Sequence, residues 1–393
     1  MRYTTMKAPL AWSRAAALVL VAALATGCTG GAEPADTPDI PRGAGALNLK
    51  GDCPKKVVVQ AAWFPQAESG ALYHMVGAGY QVDAEHKSVT GPLVAKGKDT
   101  GVDIEIRAGG PAIGFQNAGA QMYADDKIHL AQVATDDAIG LSAKQPVVAV
   151  VSPLEIAPYM IMWDPKTHPE FHSIVDIGQT NTTVLYFKGA TYMDYLVGSG
   201  VLRRSQVDGG YDGSPSRFVA SEGKIAQQGF ATSEPYVYEK TLPQWKRPVE
   251  FQLIHDTGYP IYPEAIVTRA DRKKELAPCL RKLVPIIQQA QVDNVKDPKR
   301  SNALISKLVD EYKVGYPYPV EQAEFSIDQQ VELGIASNGD DDTLGEFDLR
   351  RIKRVIDIVA PIYKGQRKEL KAELSPEDLV SNEFIDPSIG MSA

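Results

Sequence analysis

Trp63, Gln66 and Glu68 fall within the stretch Trp63-Phe64-Pro65-Gln66-Ala67-Glu68, directly after a short β-branched run. A flat indole at such a place can stack on a planar ligand, while the amide and the carboxylate read its polar edges. A glutamate suits donors such as an aminopyrimidine and repels nitrate or a sulfonate. Tryptophan is equally a core residue, so packing stands beside stacking for Trp63. The chemistry offered is recognition rather than bond breaking. The chain has no Gly-x-Ser-x-Gly elbow and no P-loop, and its six histidines lack an evident nucleophile partner.

Further candidates are scattered along the chain. Gly109-Gly110-Pro111 offers backbone N–H groups at a helix start, although a Gly-Gly turn is ordinary in any loop. Thr135-Asp136-Asp137 follows a strand and either touches ligand or caps a helix, the cap being favoured. Ser214, Ser216 and Arg217 cluster two hydroxyls and a guanidinium, which suits a phosphate or carboxylate, or else a capped turn. Tyr192, Tyr236, Tyr259 and Tyr262 offer a ring and a hydroxyl tip near expected inter-lobe edges, with plain packing as the other reading. His168 and His172 have i,i+4 spacing, but Pro169 separates them and no third ligand is near. Residues 338–342 lack the alternate spacing of a calcium loop. Neither a metal nor a cofactor is expected.

Holding these residues together takes a layered α/β body. Residues 55–61, 101–106, 129–134 and 145–151 have strand character, and 69–78 and 112–123 read as helices, with Pro111 suited to a first turn. A second alternating unit covers about 173–259, with strands at 174–178 and 183–187 and a helix at 192–199 ended by Gly200. A strand at 261–268 then returns to the first lobe, and helices follow at 276–290, 301–312, 327–333 and 349–363. Strand–helix alternation indicates a mainly parallel sheet, whose ligands sit beyond the carboxyl ends of the strands. The expected division is lobe 1 at 55–150 and 261–393 with lobe 2 at 151–260. Crossings near 150–152 and 257–261 then place Ser152 and Tyr259 at a cleft that closes by hinge motion.

The amino terminus carries an address. Arg2, Lys7 and Arg14 precede an apolar run at 15–25 that is too short to span a bilayer, and Ala25-Thr26-Gly27-Cys28 matches a lipoprotein cleavage box. Residues 1–27 are therefore expected to be removed and Cys28 acylated, with 28–54 as a Gly- and Pro-rich tether. The net charge of −8 becomes more negative on cleavage, because the removed segment holds three basic and no acidic side chains. An acidic body argues against nucleic acid. Cys53 and Cys279 remain for an oxidising compartment, where pairing is the expected fate and two free thiols the alternative.

The opening Trp63-Phe64-Pro65-Gln66-Ala67-Glu68, with Tyr73 and Gly79-Tyr80 behind it, is similar to that of the nitrate, sulfonate, taurine and thiamine-pyrimidine binding proteins of ABC importers. Gly70 falls one place early, and a glutamate stands where glutamine is common. Residues 229–236, Gly-Phe-Ala-Thr-Ser-Glu-Pro-Tyr, resemble the second-lobe segment of that family. The resemblance implies an α/β, two-lobed type II periplasmic binding protein fold with a ligand cleft between the lobes, and it adds Tyr73, Glu234 and Tyr236 to the ligand contacts. It implies an extracytoplasmic, lipid-anchored monomer that passes a small molecule to a permease and ATPase. A planar heterocycle such as a thiamine pyrimidine precursor or a flavin is the leading ligand, and a sulfonate, taurine or nitrate the alternative. An enzyme on the same scaffold, or a tethered sensor with another partner, ranks behind both.

Overall fold

The computed structural model describes residues 40–313 and 315–391; the expected secretion address and acylated Cys28 lie outside them. Among the described residues are two sheets. The first runs, in spatial order, Gln81–Asp83 (β2), Ser88–Ala95 (β3), Lys98–Arg107 (β4), Lys56–Gln60 (β1), Leu130–Val133 (β5), Ala265–Arg269 (β12) and Val147–Val151 (β6). β1 is parallel to β4 and β5, whereas β12 runs antiparallel to β5 and β6. The second sheet has the order Glu250–Leu253 (β11), Tyr159–Trp163 (β7), Ala226–Phe230 (β10), Val184–Leu185 (β8) and Val207–Asp208 (β9).

The apolar run Val57-Val58-Val59 makes β1 a central strand because both of its faces are covered. Val57 and Val59 join Ile104, Ile106 and Leu130 in one core, beneath helices Lys273–Lys296 and Lys299–Tyr312. Val58 points the other way, into a core shared with Ala131, Val133 and helix Leu349–Gly365. That second core continues through Ile174, Val184 and Met193 of the second lobe, so apolar packing joins the lobes at the hinge. A disulfide links Cys53 to Cys279, tying the start of the body to helix Lys273–Lys296. No described helix is long and apolar enough to cross a membrane.

Several local expectations change. Residues 174–178 form part of helix Ile174–Gln179 rather than a strand, because Ser173 caps it by accepting from the Asp176 N–H. The helix after Pro111 breaks: a short 3₁₀ turn, Gly110–Ile113, is followed by a separate helix, Ala118–Ala124. Asn117 restarts the chain by accepting the Gly119 N–H at 2.8 Å. The antiparallel strands β2 and β3 and the second-lobe strands β7 and β11 were not expected. In β3, Gly91 and Pro92 disguise a strand that lies between β2 and β4 and pairs with β4 from Ser88 to Ala95.

The chain crosses from β6 to β7 through residues 152–158 and returns from β11 to β12 through 254–264. Arg351 fastens both crossings. Its guanidinium donates to the carbonyls of Glu155 (2.6 Å), Pro260 (2.7 Å) and Ile261 (2.9 Å), pairs with the Glu155 carboxylate, and lies 3.7 Å over the Tyr262 ring.

Candidate functional site

In the first sheet the carboxyl ends of β1, β4, β5 and β6 share one edge with the start of antiparallel β12. The segments leaving that edge carry Trp63, Gln66 and Glu68 after β1, Gly110 after β4, Thr135 after β5, and Glu264 just before β12. Facing them are the ends of the second sheet, with Tyr159 at the start of β7, Phe187 after β8, and Thr232 and Glu234 after β10.

Aromatic rings line the approach. Trp63 is half-buried, with ring centroids 5.7 Å from Phe64, 5.8 Å from Phe115 and, across the cleft, 6.3 Å from Phe187. Phe187 continues to Tyr211 at 4.7 Å. Phe115 is 66% exposed on the outer side of the Trp63 ring. Gly110 is required beneath the indole, because it takes φ 55° and a Cβ there would come within 2.6 Å of the Trp63 ring. A second aromatic group, Tyr159 with Tyr192 and Phe230 at 5.6 and 5.2 Å, lies on the facing lobe.

Three carboxylates occupy the base of the cleft. Glu68 is 3% exposed, and its Oε1 accepts from the Thr232 hydroxyl across the lobes while its Oε2 has no partner. Glu264 accepts from Gln66 Nε2 (3.2 Å), Gln132 Nε2 (3.1 Å) and the Ser69 hydroxyl (3.3 Å). Glu234 accepts the Phe230 N–H at 2.7 Å. Burial raises Glu68; burial and then the charge of Glu68 push Glu264 up to about 8; and burial with the same neighbour lifts Glu234 to about 7. Glu264 also holds φ 46°, a left-handed conformation that non-glycine residues keep mostly where the surroundings impose it.

The lobes touch directly here, through Glu68–Thr232 and through Gln322 Nε2 donating to the Ser233 hydroxyl at 3.0 Å. Two water-accessible hollows of about 530 and 830 Å3 open elsewhere, and neither is lined by Trp63, Glu68, Glu234 or Glu264.

Of the expected contacts, Trp63, Gln66, Glu68, Gly110 and Glu234 are brought together. Tyr192 lies behind them, donating to Gln228 Oε1, and Gln228 in turn accepts the Phe187 N–H at 2.7 Å. Others are placed in the packing and hydrogen bonding of the surrounding elements. Tyr73 is 1% exposed in the core of the first lobe. Thr135 Oγ1 accepts the Tyr262 N–H, and the Ser152 hydroxyl donates to the Leu154 carbonyl at 2.6 Å. Tyr259 donates to the buried Asp136 at 2.7 Å, while Tyr262 accepts the Asp348 N–H beneath Arg351. Tyr236 packs on Phe325 with centroids 5.6 Å apart. Arg217 is paired with Asp208 at 2.7 Å, and Ser214 and Ser216 bond to each other, so this loop satisfies its own polar groups. Phe187 and Glu264 were missed; the first directly follows a strand and the second immediately precedes one, which is where a sheet of this kind presents ligand contacts.

No protein-family model and no curated protein sequence matches the chain. Solved structures do match. The periplasmic aliphatic sulphonate binding protein of Escherichia coli superposes with a TM-score of 0.54 at 13% identity, over 82% of this chain and 94% of that one. The alkanesulfonate-binding protein of Xanthomonas axonopodis pv. citri, bound to MOPS, gives 0.52 at 12% identity, over 84% and 98%. The fold is that of a type II periplasmic binding protein. A protein of Bordetella bronchiseptica RB50 gives 0.50 at 15% identity, over 84% of this chain and 96% of that one. At these identities the type II periplasmic binding protein likeness fixes architecture and leaves the ligand open.

Proposed function

We propose that the protein is an extracytoplasmic solute receptor that closes its two lobes, divided near residues 150 and 260, over a planar heterocycle. It then presents the closed form to an ABC permease and ATPase. Acylation at Cys28 would hold it, as a monomer, at the membrane surface. The observation that carries this reading is the aromatic lining contributed by both lobes: Trp63 and Phe115 from one, Phe187 and Tyr211 from the other. Offset rings on opposing walls suit a flat ligand, and each adds stacking to its buried area.

A second reading is a sulfonate receptor, favoured by what the two superposable proteins are described as binding. The carboxylates speak against it. Glu68, Glu234 and Glu264 face the same cleft and none of them is paired with a lysine or arginine among the described residues, so an anion entering there would find no counter-charge beside these acids.

A thermal-shift panel on the purified full-length protein separates the two, using aminopyrimidine, thiamine, riboflavin, taurine, alkanesulfonates and nitrate. A ligand at a hundred times its dissociation constant stabilises by about 2.7 kcal/mol, which a protein of this size reads as a rise of a few degrees. A rise with heterocycles alone supports the first reading; a rise with sulfonates alone replaces it by the second.

A further inference from the structure

Glu68 presents a problem that the closed lobes do not solve. It is a carboxylate 3% exposed, and one oxygen has no hydrogen-bond partner. Among the described residues, no lysine or arginine forms an ion pair with Glu68, Glu234 or Glu264, whereas other buried acids such as Asp164 and Glu155 each hold an arginine. A buried charge without a counter-charge is costly, and one whose lone pairs are unfilled is costlier. The remaining oxygens are not free to compensate. Glu264 is held by two amide groups and a hydroxyl, and Glu234 by a backbone N–H. The open valence belongs to Glu68 Oε2, in a carboxyl that has Thr232, the Ser326 hydroxyl and Tyr318 as neighbours.

We propose that Glu68, with Glu234 and Glu264 around it, seats a cationic nitrogen of the ligand, an ammonium or amidinium that donates N–H bonds to Glu68 Oε2. This deepens the receptor reading and rests on it. The ligand supplies the counter-charge that the protein omits, and charge-assisted hydrogen bonds of this type are among the stronger ones available. Because Glu68 comes from the first lobe while Thr232 and Glu234 come from the second, a cation seated here ties the lobes together. A sulfonate has no N–H to donate to Glu68 Oε2 and brings the wrong sign of charge to it.

Four small probes test charge and shape separately: benzamidine, benzamide and benzenesulfonate, which share a ring and differ in charge, and n-butylammonium, which keeps the cation without the ring, titrated calorimetrically into the full-length protein at pH 7.5. Benzamidine is expected to bind at least about tenfold more tightly than benzamide, with benzenesulfonate silent. Glu68→Gln is expected to erase that preference, with circular dichroism confirming the fold; Glu234→Gln is expected to reduce it in part. Equal binding of benzamide and benzamidine overturns the cation seat and leaves the planar-ligand reading standing. Binding of n-butylammonium but of no aromatic probe overturns the planar reading and keeps the seat. A benzenesulfonate response, or silence from all four probes at millimolar concentration, overturns the seat.

Discussion

Gly110 and Trp63 are coupled tightly enough to be tested as a pair. Alanine at 110 must accept φ 55° and bring a methyl group within 2.6 Å of the indole, so Gly110→Ala is expected to cost roughly 1–2 kcal/mol from the backbone alone and to displace Trp63. Trp63→Ala removes a half-buried ring from the cleft rather than from a core, and should lower ligand affinity about 5- to 150-fold with the melting temperature little changed. Melting of Trp63→Ala at a markedly lower temperature would reassign the ring to packing. Glu264 gives a pH signature. Its carboxyl, ordinarily near 4.5, is raised to about 8 in the folded protein, so the folded state holds a proton that the unfolded chain has released. Stability from this group is therefore full below about pH 4.5, declines as the pH rises toward 8, and is lost above it. Melting temperatures from pH 5 to 8.5 should fall for the wild type and fall less steeply for Glu264→Gln, in which Glu234, raised to about 7, keeps its own share of the decline; parallel curves would sink this assignment. Glu68 and Trp63 were legible because they follow the first strand in a short distinctive motif. Glu264 was not, because Gln66, Gln132 and Glu264 meet only once β1, β5 and β12 are neighbours.

At the scale of elements, the molecule relies on two fasteners with different roles. The Cys53–Cys279 disulfide joins segments 226 residues apart, so replacing both cysteines by serine should remove about 2–5 kcal/mol, read as a lower melting temperature that reductant no longer affects. Arg351 holds the two crossings to helix Leu349–Gly365. Arg351→Met strands the 13%-exposed Glu155 carboxylate, a change worth about 3–5 kcal/mol in comparable buried pairs, and the double variant Arg351→Met/Glu155→Gln should recover part of it. Recovery in denaturant titrations distinguishes the ion pair from simple loss of packing. The same elements show what could be read in advance. Long amphipathic or wholly apolar runs declared themselves, and helices Lys273–Lys296 and Leu349–Gly365 fall where periodicity placed them. The first of these extends past its expected ends despite Pro278 and Pro285 inside it, because packing on the first sheet outweighs local propensity. β2 and β3 escaped notice because an edge meander needs no apolar run.

For the whole molecule, the proposed receptor function makes the balance between open and closed lobes the decisive quantity, and the Glu68–Thr232 hydrogen bond bears on it directly. That bond joins the first-lobe segment after β1 to the second-lobe segment after β10, so it exists only when the lobes meet. In an open form both groups would be hydrated, and the variant Thr232→Val would lose little there. In the closed form the variant leaves Glu68 with neither oxygen satisfied, a penalty of about 1–3 kcal/mol. The penalty therefore falls on one state alone and shifts the equilibrium toward the open one by about 5- to 150-fold. Ligand affinity falls with the closed population, since binding draws on the competent fraction. Small-angle scattering of ligand-free Thr232→Val should show a larger radius of gyration than the wild type, and Thr232→Ser, which keeps the donor, should restore the compact value. An unchanged radius with unchanged affinity would mean that Gln322–Ser233 and the shared apolar core hold the lobes without this bond. An unchanged radius with weakened binding would instead place Thr232 on the ligand itself, making it a contact rather than a latch.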